Sequence, residues 1–153
     1  MVDDPGCVLC DPERADRELG RVTVWTDGVW RLAMSLEAEV PGFGFLEPVR
    51  HVPHITDLDG EEAAVFGRTL ARVTAILKDE AGGELAYVFV FGGGVRHLHV
   101  HLAPHRDGDA INTRLIRGNV VEERLPSGDL REEQLRALAE RVRRRLAEHV
   151  RAD

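Results

Sequence analysis

The chain has 153 residues, 43% of them hydrophobic and 31% charged, a composition expected of one ordinary globular domain. A formal net charge of −7 argues against a nonspecific nucleic-acid or anionic-membrane binder. No apolar run approaches the ~20 residues a membrane span needs, and the acidic start Met1-Val2-Asp3-Asp4-Pro5 lacks a secretory hydrophobic region, so a cytoplasmic protein is expected.

In chain order, the first signal is Cys7-Val8-Leu9-Cys10, which holds both cysteines. In a cytosolic chain such a pair is more often a metal half-site or redox pair than a structural disulfide. Arg21–Thr26 and Val29–Met34 read as strands joined by the hairpin dipeptide Asp27-Gly28. Gly42–Glu47 reads as a third strand, stopped by Pro48. Asp59 starts a helix, with Glu62 placed as in a capping box, and Gly82-Gly83 ends it. Val65, Leu70, Val73, Ile76 and Leu77 form its apolar face. Leu85–Phe91 is strongly β, and Gly92-Gly93-Gly94 turns the chain into a last strand from Val95 to about Ala103. Pro126-Ser127-Gly128 is a break. Beyond it Leu130, Leu135, Leu138, Val142, Leu146 and Val150 line one side of a second helix. The fold class expected is α+β, an antiparallel sheet with a central and a C-terminal helix. Residues 1–128 make the domain proper and 129–153 a helix packed on it or extending it. Trp25 and Trp30, flanking the hairpin, read as packing residues.

Five of the seven histidines lie between His51 and His101, and three alternate in His97-Leu98-His99-Val100-His101-Leu102. On a strand, alternate residues share a face and sit about 6.8 Å apart, so the three imidazoles should project together. Leu98, Val100 and Leu102 would then pack beneath a helix. Two chemistries fit such a row. One is a metal site, since neutral imidazoles are common ligands. The other is nucleophilic catalysis at phosphorus, with one imidazole attacking and its neighbours binding phosphate oxygens.

The wider pattern resembles the histidine-triad (HIT) superfamily of nucleotide hydrolases and transferases, whose signature is His-φ-His-φ-His-φ-φ with φ apolar. His97-Leu98-His99-Val100-His101-Leu102-Ala103 matches it at every position. Pro48-Val49-Arg50-His51, then Asp57-Leu58 before the central helix, is similar to the family's Pro-x-x-His and Asp-Leu, and an N-terminal Cys-x-x-Cys occurs in many bacterial members. The resemblance implies that His99 is the nucleophile, forming a covalent nucleotidyl-histidine on a nucleotide phosphoanhydride, phosphoester or phosphoramidate. It implies that His101 donates to the phosphate or leaving group. Gly93, Gly94 and His105 would join His101 in binding substrate. By similarity to zinc-containing members, Cys7, Cys10, His51 and His97 would hold a structural zinc, a donor set suited to a closed tetrahedral site. The implied partners are a nucleotide or other phosphorylated small molecule and a second copy of the chain, with no nucleic acid and no membrane.

Two departures bear on activity. The position near Ser35, where family members usually carry an acid for the ribose hydroxyls, has a serine, with Glu37 and Glu39 nearby. The segment before the triad, Tyr87-Val88-Phe89-Val90-Phe91-Gly92-Gly93-Gly94-Val95-Arg96, lacks the usual Asn, Gln and Ser donors. Glycine N–H groups can still face an anion. Arg114 and Arg117 are further candidates for a phosphate contact. The alternatives to turnover are a phosphate-binding module of the same fold, and a metalloenzyme with His97, His99 and His101 around one ion.

Overall fold

The computed structural model describes residues 4–38, 40–107 and 131–150. After a short 3₁₀ turn at Val8–Cys10, helix α1 runs Pro12–Leu19. The strands are β1 Arg21–Thr26, β2 Trp30–Ser35 and β3 Gly44–Pro48. A second 3₁₀ turn at Ile55–Asp57 leads into α2, Gly60–Ala81. Then come β4 Leu85–Phe89, β5 Val100–His105 and α3 Glu132–Val150. The five strands form one antiparallel sheet in the order β1-β2-β3-β5-β4.

Helix α1 was not among the elements expected from sequence, though its ends are strongly marked. The Asp11 side chain accepts from Arg14 N, Pro12 occupies the first turn, and Gly20 closes the helix at φ +60°. At eight residues it is too short to develop an apolar periodicity, and Ala15 is its one buried residue. The expected capping box of α2 also fails to form. Asp59 is the N-cap but makes no side-chain cap bond. Instead Arg50 draws both carboxylates outward, with Nη2 2.6 Å from Asp59 Oδ1 and Nε 3.0 Å from Glu62 Oε1.

Alternation along the strands divides the sheet. Trp30, Leu32 and Met34 of β2, Leu46 of β3, and Val100 and Leu102 of β5 face α2 and α3, where they meet Val73, Ile76, Leu77, Leu138, Val142 and Leu146. The C-terminal helix therefore shares the main core. Trp30 is fully buried, stacks on Phe66 at 5.1 Å and donates Nε1–H to the Glu62 carbonyl. Trp25 packs against the same core. The opposite face carries Arg31, Phe45, Glu47, His101 and Ala103, covered by the N-terminal turn and the Leu36–Phe43 segment. Glu39, Arg114, Arg117, Leu130 and the Pro126-Ser127-Gly128 break lie outside the described residues, as does the 128/129 boundary.

Candidate active site and metal centre

The histidine row does not lie on one strand. β5 begins at Val100, and β4 ends at Phe89 rather than Phe91, so His97 and His99 precede the ladder. Leu98 N instead donates to the Val52 carbonyl at 2.7 Å. His97 turns into the protein toward the N-terminal turn, while His99 and His101 stay together with ring centroids 5.1 Å apart.

His97 is fully buried, and each of its ring nitrogens has a distinct neighbour. Nε2 lies 2.9 Å from the Pro48 carbonyl. A carbonyl only accepts, so the proton is on Nε2 and Nδ1 presents its lone pair. That lone pair faces Cys7 Sγ at 3.5 Å and Cys10 Sγ at 3.6 Å. Cys10 Sγ is also 3.3 Å from His51 Nδ1, and the His51 and His97 rings meet edge-on at 5.2 Å. One donor atom from each of Cys7, Cys10, His51 and His97 lies within 4.8 Å of all the others, so this group could hold a metal ion. Burial pushes the His97 pKa down, keeping the ring in the neutral form a ligand requires. With both nitrogens so placed, His97 cannot share an ion with His99 and His101, and the three-imidazole metalloenzyme does not fit.

His99 is half-buried, and its Nδ1 lies 2.7 Å from the His97 carbonyl. By the same argument Nδ1 carries the proton and the Nε2 lone pair is the one left to act. His101 lies opposite both Phe45 of β3 and Phe89 of β4 in the ladder. Phe89 stacks on it at 4.9 Å and 8°, with Phe45 at 5.5 Å, Phe91 at 5.3 Å and Phe43 at 5.9 Å. Burial in this apolar box pushes its pKa down to about 4, with His99 adding to the effect. The phenylalanines escape a sequence search for polar site residues, although the cross-strand register to His101 follows once the sheet order is known.

The remaining candidates fall at different distances from this centre. Gly93 and Gly94 are exposed in the bend between β4 and His97. Gly92 takes φ +77°, and a side chain there would meet His54 Nδ1, which brings His54 beside the loop. His105 ends β5, buried, with its ring 5.2 Å from that of Tyr87 rather than among the triad rings. Ser35 Oγ accepts from Glu37 N at 3.2 Å and Ala38 N at 3.0 Å, closing a local turn. The Glu37 carboxylate sits against Gly20 at the end of α1.

Comparison with known proteins gives the same frame. No family model matches the chain. A bis(5'-adenosyl)-triphosphatase from Dictyostelium discoideum is 26% identical over 99 residues, which are 61% of this chain and 66% of that protein. The chain thus spans just under two thirds of that relative. Among solved structures, a histidine triad protein from Sinorhizobium meliloti superposes with a TM-score of 0.67 at 26% identity, covering 85% of this chain and 91% of the other. A zinc-bound histidine triad family protein from Mycobacterium smegmatis gives a TM-score of 0.66 at 18% identity, covering 94% and 97%. At that identity the likeness speaks for the fold. The chain thus shares the five-stranded α+β fold of histidine-triad proteins and carries a His-φ-His-φ-His-φ-φ run that leads into β5.

Proposed function

We propose that this protein is a histidine-triad hydrolase that cleaves a nucleotide phosphoanhydride, phosphoester or phosphoramidate through a covalent nucleotidyl-His99. The observation that carries the reading is the 2.7 Å contact of His99 Nδ1 with the His97 carbonyl. It supports an Nε2 lone pair held in one orientation, the requirement for an imidazole nucleophile. In the first step Nε2 bonds to the α-phosphorus, and the bond from phosphorus to the leaving group breaks with its electron pair on that group. In the second, water attacks phosphorus, the P–Nε2 bond breaks, and the nucleoside monophosphate leaves. The water's proton passes to solvent. His101, neutral at pH 7, offers an N–H hydrogen bond rather than a positive charge. The Gly93 and Gly94 amides complete the proposed substrate contacts, whereas the burial of His105 against Tyr87 speaks against the substrate role its sequence position implies. The Dictyostelium relative, named for hydrolysis of a dinucleoside triphosphate, supports this class.

Cys7, Cys10, His51 and His97 would hold zinc as a structural ion. For Zn–S of about 2.3 Å and Zn–N of about 2.0–2.1 Å, a tetrahedral ion puts neighbouring S and N donors about 3.6 Å apart. The observed 3.3, 3.5 and 3.6 Å separations fit that arrangement. The ion would supply fold stability, tying the N-terminal turn to the sheet. Two thiols suited to a metal also fit a reducing compartment such as the cytoplasm. Among the described residues β4 is an edge strand, with Leu85 and Val88 exposed on it and Val90 just beyond, which supports a homodimer through this strand and the central helix. On the domain plan, 1–128 forms the triad domain and 129–153 its C-terminal helix.

A second reading, a nucleotide-binding module with little turnover, is favoured by the local use of Ser35 Oγ and by the donor-poor Gly92–Gly94 loop. Intact-protein mass spectrometry after acid-free quenching, with nucleoside phosphoramidates and dinucleoside polyphosphates, separates the two. A mass gain of one nucleoside monophosphate, lost in His99→Asn, is expected. Binding with neither adduct nor product from any of these compounds would establish the binding module instead.

A further inference from the structure

Glu47 is a fully buried carboxylate on β3, clamped between two buried arginines, Arg31 of the adjacent β2 and Arg21 of β1 beyond it. Arg21 Nη2 lies 3.0 Å from Glu47 Oε2, and Arg21 Nη1 contacts Oε1. Arg31 Nε lies 2.9 Å from Oε2. Burial works to raise the Glu47 pKa, but the two guanidiniums outweigh it and hold the group below the usual carboxylate range. Such a cluster is a poor device for stability alone, because apolar side chains of similar volume commonly do as well or better.

Its connections point elsewhere. Arg31 Nη2 donates to the carbonyl of Leu9, inside the Cys7–Cys10 turn. Arg21 Nε lies 3.4 Å from Asp16 Oδ1 of α1, the helix that follows the turn. Glu47 also directly precedes Pro48, whose carbonyl receives His97 Nε2–H. One carboxylate therefore stands behind both halves of the four-residue donor group: the cysteine arm through Arg31, and His97 through the adjacent peptide. The arm buries only Leu9 and Ala15 as apolar anchors, so packing does little to fix where the thiols lie.

We infer that Arg31 and Glu47, seconded by Arg21, are positioning residues that preorganise Cys7, Cys10 and His97 for metal, setting its affinity. This rests on the reading of that group as a metal centre. It treats the cluster as the outer shell that orients ligands, where substitutions commonly lower metal affinity 10–100-fold.

The test replaces the whole cluster in the full chain with Arg21→Met, Glu47→Leu and Arg31→Met together, so that no fully buried charge is left unpaired and Asp16 keeps its hydrogen bonds from Thr23. Zinc affinity is read by competition with a chromophoric chelator, ligand geometry by the visible spectrum of the cobalt(II) form, and fold by melting of the metal-free protein. The expected result is a metal-free melting temperature near that of the wild type, a zinc Kd weakened about 10–100-fold, and altered cobalt bands. A companion variant, Arg31→Lys, keeps the cation but cannot span Glu47 and Leu9 O at once. It is expected to weaken zinc with its fold retained, and it decides the matter if the triple variant does not fold. Wild-type zinc affinity and cobalt bands in the folded variants would overturn the positioning role alone. A wild-type protein that takes up no zinc would overturn the metal centre, and this inference with it.

Discussion

The Nδ1 of His99 lies 2.7 Å from the carbonyl oxygen of His97, two residues earlier in the chain. His97 thus serves two groups at once: its ring faces the cysteines, and its backbone sets the tautomer of the neighbouring imidazole. Whatever orders the His97 ring also orders the peptide that holds His99.

Metal removal should therefore lower stability and weaken the His99 arrangement together. With zinc about 1,000-fold above its Kd, chelation is expected to cost about 4 kcal/mol of stability and to lower the melting temperature accordingly. Cys10 Sγ touches both His51 and His97, so Cys10→Ser should erase the zinc-dependent part of the melting shift. Equal melting of the variant and the wild type with and without chelator would contradict this.

The box around His101 has a pH signature. Its pKa in the fold is about 4, against a reference of about 6.5 in the unfolded chain. The unfolded state binds the proton first, so this component of stability is complete above pH 6.5. It is lost progressively as the pH falls toward 4, and then levels off. The loss is at most on the order of 3 kcal/mol. His101→Gln removes it, so urea denaturation at pH 7 and pH 4.5 should show a smaller acid loss in the variant. Parallel losses in the two proteins would rule the assignment out.

Gly42 supports the segment that carries Phe43 to the box. Its φ is +79°, and an added Cβ would come within 2.9 Å of Ala81 Cβ and 3.1 Å of Pro104 Cγ. Gly42→Ala combines left-handed strain of about 1–2 kcal/mol with overpacking of about 1–3 kcal/mol. A loss of about 2–5 kcal/mol is expected, read from the shift of the denaturation midpoint at constant m-value. A midpoint equal to that of the wild type would mean the segment relaxes without strain.

Much of the frame follows from local pattern. The Asp27-Gly28 hairpin, the apolar face of α2 and the alternating Leu98, Val100 and Leu102 each report periodicity or turn chemistry that neighbours in sequence are enough to specify. So does the triad as a set of residue types, because His-φ-His-φ-His-φ-φ is contiguous. Helix α1 escaped because it is too short to show a period, even though Asp11, Pro12 and Gly20 mark its ends.

Tertiary structure decided how those residues divide. That His97 Nδ1 meets Cys7 and Cys10, 90 and 87 residues away in sequence, depends on the N-terminal turn packing against the segment that leads into β5. That Phe45 and Phe89 enclose His101 depends on β5 lying between β3 and β4, a pairing of strands distant in sequence. The Arg21–Glu47–Arg31 cluster is invisible in the linear order for the same reason. Its charges look like ordinary surface residues until strand register stacks them on the covered face, where burial makes their pairing obligatory.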